Sequence, residues 1–223
     1  MKKIRLLHIE FDTEIQPWEL TAFRAAVIET TGRKHLLFHH HVGDNFLYKY
    51  PLIQYKRIGK RPALLCIDQG VDELHHFFEQ KGEVVMLGDR EIELKVGKLL
   101  MNQFVMQVWA NPFRYHITNW IALNEENFER YQKMPSLIER TQFLEATLTA
   151  NLLAFAKGIE WTVDKPIELK LSKLEDPKFI KVKQTRFATF NAEFLCNVFI
   201  PNYIGLGKSV SKGFGVVRQL NTV

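Results

Sequence analysis

Phe46-Leu-Tyr-Lys-Tyr-Pro-Leu-Ile-Gln-Tyr-Lys-Arg-Ile58, then Gly59-Lys60, then Arg61-Pro-Ala-Leu-Leu-Cys-Ile67, is the stretch on which the fold turns. Two runs rich in aromatic and branched residues flank a two-residue turn containing glycine, the pattern of paired strands. Toward the N-terminus, Pro17 suits a first helical position, Glu19 its first turn, and Leu20, Phe23 and Val27 recur at helical spacing up to Gly32. Before that helix, Ile4, Leu6, His8 and Glu10 alternate with Arg5, Leu7, Ile9 and Phe11, which predicts a strand. Toward the C-terminus, Asp72–Lys81 reads as a second helix, with Leu74, Phe77 and Phe78 apolar and Gly82 behind it; a strand pattern follows from Glu83 to Val96. The order β-α-β-β-α-β is the ferredoxin-like arrangement used by RNA-recognition folds, although a fold alone does not give function.

A second half begins near residue 100, with its first clear strand at Phe113–Leu123. Ser136-Leu-Ile-Glu139 is a capping box, in which the hydroxyl takes an early N–H and the carboxylate reaches back. The helix it opens carries the stripe Leu137, Leu144, Leu148, Leu152 and Phe155 and ends at Gly158. Ile167–Leu171, Lys178–Thr185 and Ala188–Phe199 read as strands, the last two as a hairpin around Gln184–Arg186, and Phe214–Leu220 closes the pattern. A glycine-rich loop stands where the second helix of this repeat belongs. The expected class is therefore α+β, two tandem ferredoxin-like (RRM-like) domains over residues 1–98 and 99–223.

The chain has 223 residues, enough for cores in both halves, and no run of 18 apolar residues or leader follows Met1-Lys2-Lys3. A cytoplasmic protein with no membrane partner is expected. Cys66 and Cys196 lie in apolar runs without paired spacing and read as small buried hydrophobes. Charge is informative by position: residues 1–95 hold 14 Lys/Arg against 14 Asp/Glu, and the rest hold 16 against 11. From Pro177 onward seven cations (Lys178, Lys181, Lys183, Arg186, Lys208, Lys212, Arg218) face Glu193 alone. Phe179, Phe187, Phe190 and Tyr203 are interleaved with them, a composition suited to RNA or single-stranded DNA before duplex. A merely solvated basic face is the plainer alternative.

The closing loop reads Pro201-Asn-Tyr-Ile-Gly205-Leu-Gly207-Lys208-Ser209-Val-Ser211-Lys212-Gly213-Phe214-Gly215-Val-Val217. Gly-Lys-Ser at 207–209 is not a Walker A loop, because Asn202 stands where that motif needs glycine, and Val210 likewise breaks a dinucleotide fingerprint begun at Gly205. Two Gly-x-Gly pairs around an acid-free tip suit anion binding: backbone N–H groups form the concavity and Lys208 and Lys212 add charge. Gly205, Gly207, Lys208, Ser209, Ser211, Lys212, Gly213 and Gly215 are the RNA-contacting candidates there. The plainer reading is a solubilising hairpin loop.

Phe38-His39-His40-His41-Val-Gly43-Asp44-Asn45-Phe46-Leu47-Tyr48-Lys49-Tyr50 is the other constellation that can carry chemistry. In an extended chain His39 and His41 share one face, and a Gly-Asp-Asn turn folds Tyr48 back toward them. Imidazoles titrate near neutrality, so a pair can take a proton from a ribose 2′-OH and give one to the leaving 5′-oxygen. His-x-His is also a metal-ligand spacing, but no cysteine or third ligand is evident nearby and Asp44 alone is weak support. His75 and His76 fall on a helix that needs its apolar face, and read as structural.

Ile204-Gly-Leu-Gly-Lys-Ser-Val-Ser-Lys-Gly-Phe-Gly-Val-Val217 resembles the glycine-rich loop of the RAMP superfamily, and Tyr48-Lys-Tyr-Pro-Leu-Ile-Gln-Tyr-Lys56 narrows the likeness. Over its whole length the chain resembles the CRISPR-associated repeat-RNA endoribonucleases, the Cas six family, in particular its b-type subgroup. That resemblance implies two ferredoxin-like domains and metal-independent cleavage of CRISPR precursor RNA within its repeats, leaving 2′,3′-cyclic phosphate and 5′-hydroxyl ends. It maps a catalytic His-x-His pair onto His39 and His41, with Tyr48 in support, and His40 departs from the small polar residue expected between them. Lys49 and Lys56 join the RNA-contacting set. No metal and no cofactor is expected; the partners are repeat RNA, as precursor and mature guide, with CRISPR effector subunits as further candidates. The leading alternative is a non-catalytic RNA-binding subunit of an effector complex. A metal-dependent nuclease is the third, disfavoured because clustered carboxylates for a two-metal site are missing.

Overall fold

The computed structural model describes residues 1–32, 34–39, 41–42, 45–46, 49–79, 84–182 and 185–220. They form two compact units: Lys3–Val105 with Ser211–Gly213, and Met1–Lys2 with Met106–Val210 and Phe214 onward. In chain order the elements of the first are β1 (Lys2–Phe11), a 3-10 turn at Pro17–Glu19, α1 (Leu20–Thr31), α2 (Leu36–His39), β2 (His41–Val42), β3 (Asn45–Phe46), β4 (Ile53–Ile58), β5 (Arg61–Ile67), α3 (Gln69–Asp72), α4 (His75–Phe78), β6 (Val84–Leu87), β7 (Arg90–Glu93) and β8 (Val96–Met106).

The sheet order is β4-β5-β1-β8, with the expected strand β1 lying between β5 and β8. This is the ferredoxin-like order, with the β4–β5 hairpin on one side of β1 and the last strand, β8, on the other. Register is fixed by burial: Leu7 lies opposite Cys66 and Ile9 opposite Leu64, with Ile53 across from Cys66 and Tyr55 across from Leu64. Those six residues point into one apolar core, with Phe11, Phe23, Val27, Phe38 and Phe77. Phe11 meets both Phe23 and Phe77 edge-on at 5.7 and 5.8 Å. Gly32, at φ 82°, ends α1 and donates its N–H to the Ile28 and Glu29 carbonyls.

Three expectations for this unit need correction. The helix placed at 72–81 is two short turns starting earlier, at Gln69. Asp72 is drawn into a two-pronged ion pair with Arg5, and its carbonyl accepts from the His75 ring, which competes with the helical ladder. The strand pattern at 83–96 is a separate two-stranded hairpin, β6–β7, turned at Gly88 with φ 66°; the sheet's fourth strand is β8. The run 46–58 is not one strand: β4 starts only at Ile53, after Pro51.

The second unit contains β9 (Val108–Trp120), α5 (Glu125–Lys133), α6 (Leu137–Gly158), β10 (Leu169–Leu174), β11 (Lys178–Val182), β12 (Thr185–Val198), a 3-10 turn at Val210–Lys212 that clusters with the first unit beyond Val210, and β13 (Val216–Gln219). Its sheet runs β10-β12-β9-β13, the same ferredoxin-like order, and β11 folds back on β12 as the expected hairpin. Ser136 Oγ accepts from the Glu139 N–H at 3.1 Å, as the capping box predicts. Leu144, Leu148, Leu152 and Phe155 bury the α6 stripe, while Leu137 at its first turn is exposed. Tyr115, Phe194, Phe190 and Trp120 supply the facing sheet side chains. The protein is thus a mixed α+β chain of two tandem ferredoxin-like domains. Among the described residues no helix is long and apolar enough to cross a membrane.

Candidate functional site

The histidine segment does not have the extended backbone its spacing suggests. His39 is the last residue of α2, and His41 lies in β2 opposite Phe46 of β3, so the alternation that would put both imidazoles on one face does not operate. The reason is local: Leu36-Leu-Phe38 folds as a helical turn that drives Phe38, fully buried, into the core. His40, Gly43, Asp44 and Tyr48 lie outside the described residues.

Two residues that the sequence reading missed hold this turn. Tyr55 Oη donates to the Phe38 carbonyl at 3.1 Å, and Arg24 Nη2 donates to the His39 carbonyl at 2.9 Å. These are the end carbonyls of α2, which have no helical partner and need donors from elsewhere. The Arg24 guanidinium also lies 5.6 Å from the Tyr55 ring centre, and burial lowers its pKa, opposed by Tyr55. Burial raises the Tyr55 phenol well above its usual range, so it stays a donor. Tyr55 belongs to the segment that carried the family likeness, and Arg24 is the one charge between Leu20 and Ile28; both signals were available.

The lysines of that segment separate. Lys49 is exposed. Lys56 is 1 % exposed, and burial pulls its ammonium down to about 7. A side chain so placed presents no open cation to a phosphate, which departs from the contact expected of it. Gln54 beside it donates to Tyr50 Oη at 2.8 Å, and Tyr50 is itself pushed up by burial.

The glycine-rich loop takes the place of the missing helix, as expected, but its backbone is committed more deeply than an anion cradle requires. Leu206 N–H donates to the Gly215 carbonyl (2.8 Å), Gly215 N–H to Asn119 (3.0 Å) and Lys208 N–H to Ile121 (3.1 Å). Gly205 bridges Val216. At Gly207 a Cβ would stand 2.7 Å from the Trp120 ring, and at Gly215 it would strike the Leu206 carbonyl. Both sit at positive φ, 98° and 62°. Tyr203, Ser209 and Asn119 share that left-handed conformation without being glycine, strain that clusters where surrounding structure over-determines the backbone. Gly213, also left-handed, packs against Leu20. Lys208 is exposed; Ser209, Ser211 and Lys212 are half-buried.

The basic strip is present on the second domain. Lys178, Lys181 and Arg186 are exposed on the β11–β12 hairpin, and the Arg186 guanidinium lies 4.2 Å from the centre of the exposed Phe179 ring. Arg218 stands 5.0 Å over Tyr203 beside the loop. Stacked guanidinium and aromatic planes beside lysines suit exposed bases and phosphates.

Comparison with known proteins places this architecture. A crystal structure of a Cas6b protein is 25% identical and superimposes with a TM-score of 0.89 over 98% of this chain and 100% of that one. A second crystal structure, of a CRISPR RNA processing endoribonuclease Cas6b, is 24% identical with a TM-score of 0.76 and covers 98% and 100%, a likeness of fold. An uncharacterised protein of Methanocaldococcus jannaschii is 36% identical over 149 residues, which are 62% of this chain and 98% of that protein. Residues 2–105 match the Cas6b N-terminal domain and residues 107–220 match the Cas6b C-terminal domain, so the chain belongs to the Cas6b family.

Proposed function

We propose that this protein is an endoribonuclease that cuts CRISPR precursor RNA within its repeats without a metal ion, leaving 2′,3′-cyclic phosphate and 5′-hydroxyl ends. The observation that carries the reading is that both halves of one chain match the two Cas6b domains, in a family whose relative of known structure is a CRISPR RNA processing endoribonuclease. The tethering of the His39 carbonyl by Arg24 supports it, since an acid–base group works only when held in place.

In this reading one imidazole of the pair His39 and His41 takes the proton from the ribose 2′-OH as its oxygen attacks the adjacent phosphorus. The other gives a proton to the 5′-oxygen as the P–O5′ bond breaks, and Tyr48 orients the phosphate. Charge and protons balance without a bound metal. Lys49, Lys208, Lys212 and the loop flanked by Gly205, Gly207, Gly213 and Gly215, with Ser209 and Ser211, hold the RNA backbone. The cations and Phe179 of the β11–β12 hairpin offer further contacts to RNA on the second domain.

Incubating the full chain with labelled repeat RNA, with and without EDTA, tests the reading. Equal cleavage in both arms is expected, with cyclic phosphate ends. Tight binding without cleavage would favour the non-catalytic subunit, and EDTA-sensitive cleavage a metal nuclease. A substrate with 2′-deoxyribose before the cut should bind and resist cleavage.

A further inference from the structure

The chain carries a second group of histidines, outside the proposed chemistry. His35 lies just ahead of α2, Glu73 joins α3 to α4, and His75, His76 and Glu79 belong to α4 or follow it. His35 Nδ1 stands 3.5 Å from Glu73 Oε2, and His76 Nε2 stands 3.8 Å from the same oxygen. One ligand atom each from His35, Glu73 and His76 lies within 4.8 Å of the others. His35 and His76 are largely shielded, their side chains 13% and 27% exposed.

These separations are too long for hydrogen bonds, which close to about 2.7–3.2 Å. They approach what a shared cation imposes: ligands about 2.0–2.2 Å from zinc at tetrahedral angles stand roughly 3.3 Å apart. The rings of His35 and His76 are 3.7 Å apart between centres and tilted by 33°. The two imidazoles thus lie side by side next to the one carboxylate oxygen, Glu73 Oε2, that both approach. The other nitrogen of His76, Nδ1, faces Glu79 Oε2 at 3.6 Å. At that distance the pair is not hydrogen-bonded directly, but the carboxylate stands on the side from which a ligating histidine is oriented by its second nitrogen.

We propose that His35, Glu73 and His76 form a divalent transition-metal site, suited to zinc, with water completing the coordination and Glu79 holding the His76 tautomer. A His2Glu donor set matches zinc, since imidazole and carboxylate are both among its ligands. The alternative group His75, His76 and Glu79 comes from α4 and the residue that follows it, with His75 and Glu79 exposed, and its His76–Glu79 contact is through the same Nδ1. The site joins segments 38 residues apart in the chain. It pins the start of α2, whose last residue is His39, to the α3–α4 layer of the same domain. The cation is a clamp on the histidine-bearing turn and takes no part in the phosphoryl chemistry.

Tag-free full-length protein, stripped with EDTA and dialysed, is titrated with Co²⁺ and then Zn²⁺. One equivalent of Co²⁺ should give the visible bands of a low-coordinate site, and zinc should bleach them. Zinc at a hundredfold over its Kd should raise Tm by about 5 °C. Glu73→Gln, which keeps the side-chain shape, and His76→Ala should each abolish the bands and the shift, and Glu79→Ala should weaken binding about 10–100-fold. His39→Ala with His41→Ala should leave both readouts intact. The proposal is overturned if no bands appear, if Glu73→Gln binds as tightly as wild type, or if only the His39 and His41 variant loses the signal. None of these readouts uses cleavage, so the outcome is separate from that of the proposed activity.

Discussion

The two domains use one strand order and fill its second-helix position in opposite ways. In the first, α3 and α4 cover the sheet with side chains, burying Leu74 and Phe77 against Phe11. In the second, no helix stands there: the 201–215 backbone lies directly on the end of β9, joined by main-chain hydrogen bonds to Asn119 and Ile121. A helix covers a sheet at a stand-off set by the side chains between them. The loop comes in to contact distance where it has glycine, at Gly207 against Trp120 and at Gly215 against Leu206, and leaves Lys208 exposed. On the proposed function, the histidines of the first domain carry the chemistry, while the second presents Lys208 from a loop backbone tied to Asn119 and Ile121.

The largest effect that sharpens this division is on chemistry. His39→Ala with His41→Ala is expected to abolish single-turnover cleavage, since each lost acid or base costs about 10²–10⁴ in rate, while RNA affinity stays near wild type. Cleavage at the wild-type rate would break the assignment of chemistry to the first domain.

Stability comes next. Gly215 and Gly88 are both left-handed, at φ 62° and 66°, but an added Cβ strikes the Leu206 carbonyl at Gly215 and meets nothing within 4 Å at Gly88. The conformational cost is common to both, so the difference between Gly215→Ala and Gly88→Ala isolates the close approach. Urea unfolding should show Gly215→Ala less stable than Gly88→Ala by about 2–4 kcal/mol, from overpacking and the strained hydrogen bond to Leu206. Equal losses would mean that the loop does not depend on contact with its own backbone.

A third effect concerns Lys56, inside the first domain. Its ammonium titrates near 10.5 when solvated and is pulled down to about 7 by burial. Between those values the unfolded chain binds the extra proton, so stability rises with pH across that window, and the cost of burial is fully present below pH 7. Wild type should gain on Lys56→Met by a few kcal/mol between pH 7 and pH 10.5 in chemical denaturation. A difference flat with pH would show the lysine to be charged and solvated.

Strand alternation, the Gly59-Lys60 turn, the Ser136 cap and the α6 stripe were legible because each is a local signal whose partner is close in sequence or periodic. What the sequence hid was decided by distant partners. Spacing made His39 and His41 look like neighbours on a strand, yet Phe38's burial and the donors Arg24 and Tyr55 wind that turn into helix. Lys56 looked like a surface cation because period-two alternation cannot show which face of β4 is covered. The β6–β7 hairpin escaped because Gly88 in a strand pattern reads equally as a bulge. The grouping of His35 with His76 needs two elements brought together by the core, and no spacing rule reaches across them.

The smallest effect tests the second domain's share. Lys208 is exposed beside an N–H committed to Ile121, so its ammonium projects from a fixed backbone; Lys212 is half-buried in the following 3-10 turn. If both meet phosphates, each releases counterions on binding, and losing one lowers the salt slope for single-stranded RNA by about 0.7. Lys208→Ala with Lys212→Ala should therefore weaken binding at low salt, flatten its salt dependence by about 1.4, and leave the cleavage rate at saturating protein unchanged, because these two cations are assigned to holding phosphates and not to proton transfer. Lys208→Ala alone should account for at least half of the slope change, given its greater exposure. Filter binding across a salt series and single-turnover cleavage at saturation read the two quantities independently. A double variant that binds with the wild-type slope but cannot cut would move the chemistry onto the loop and reverse the roles of the two domains.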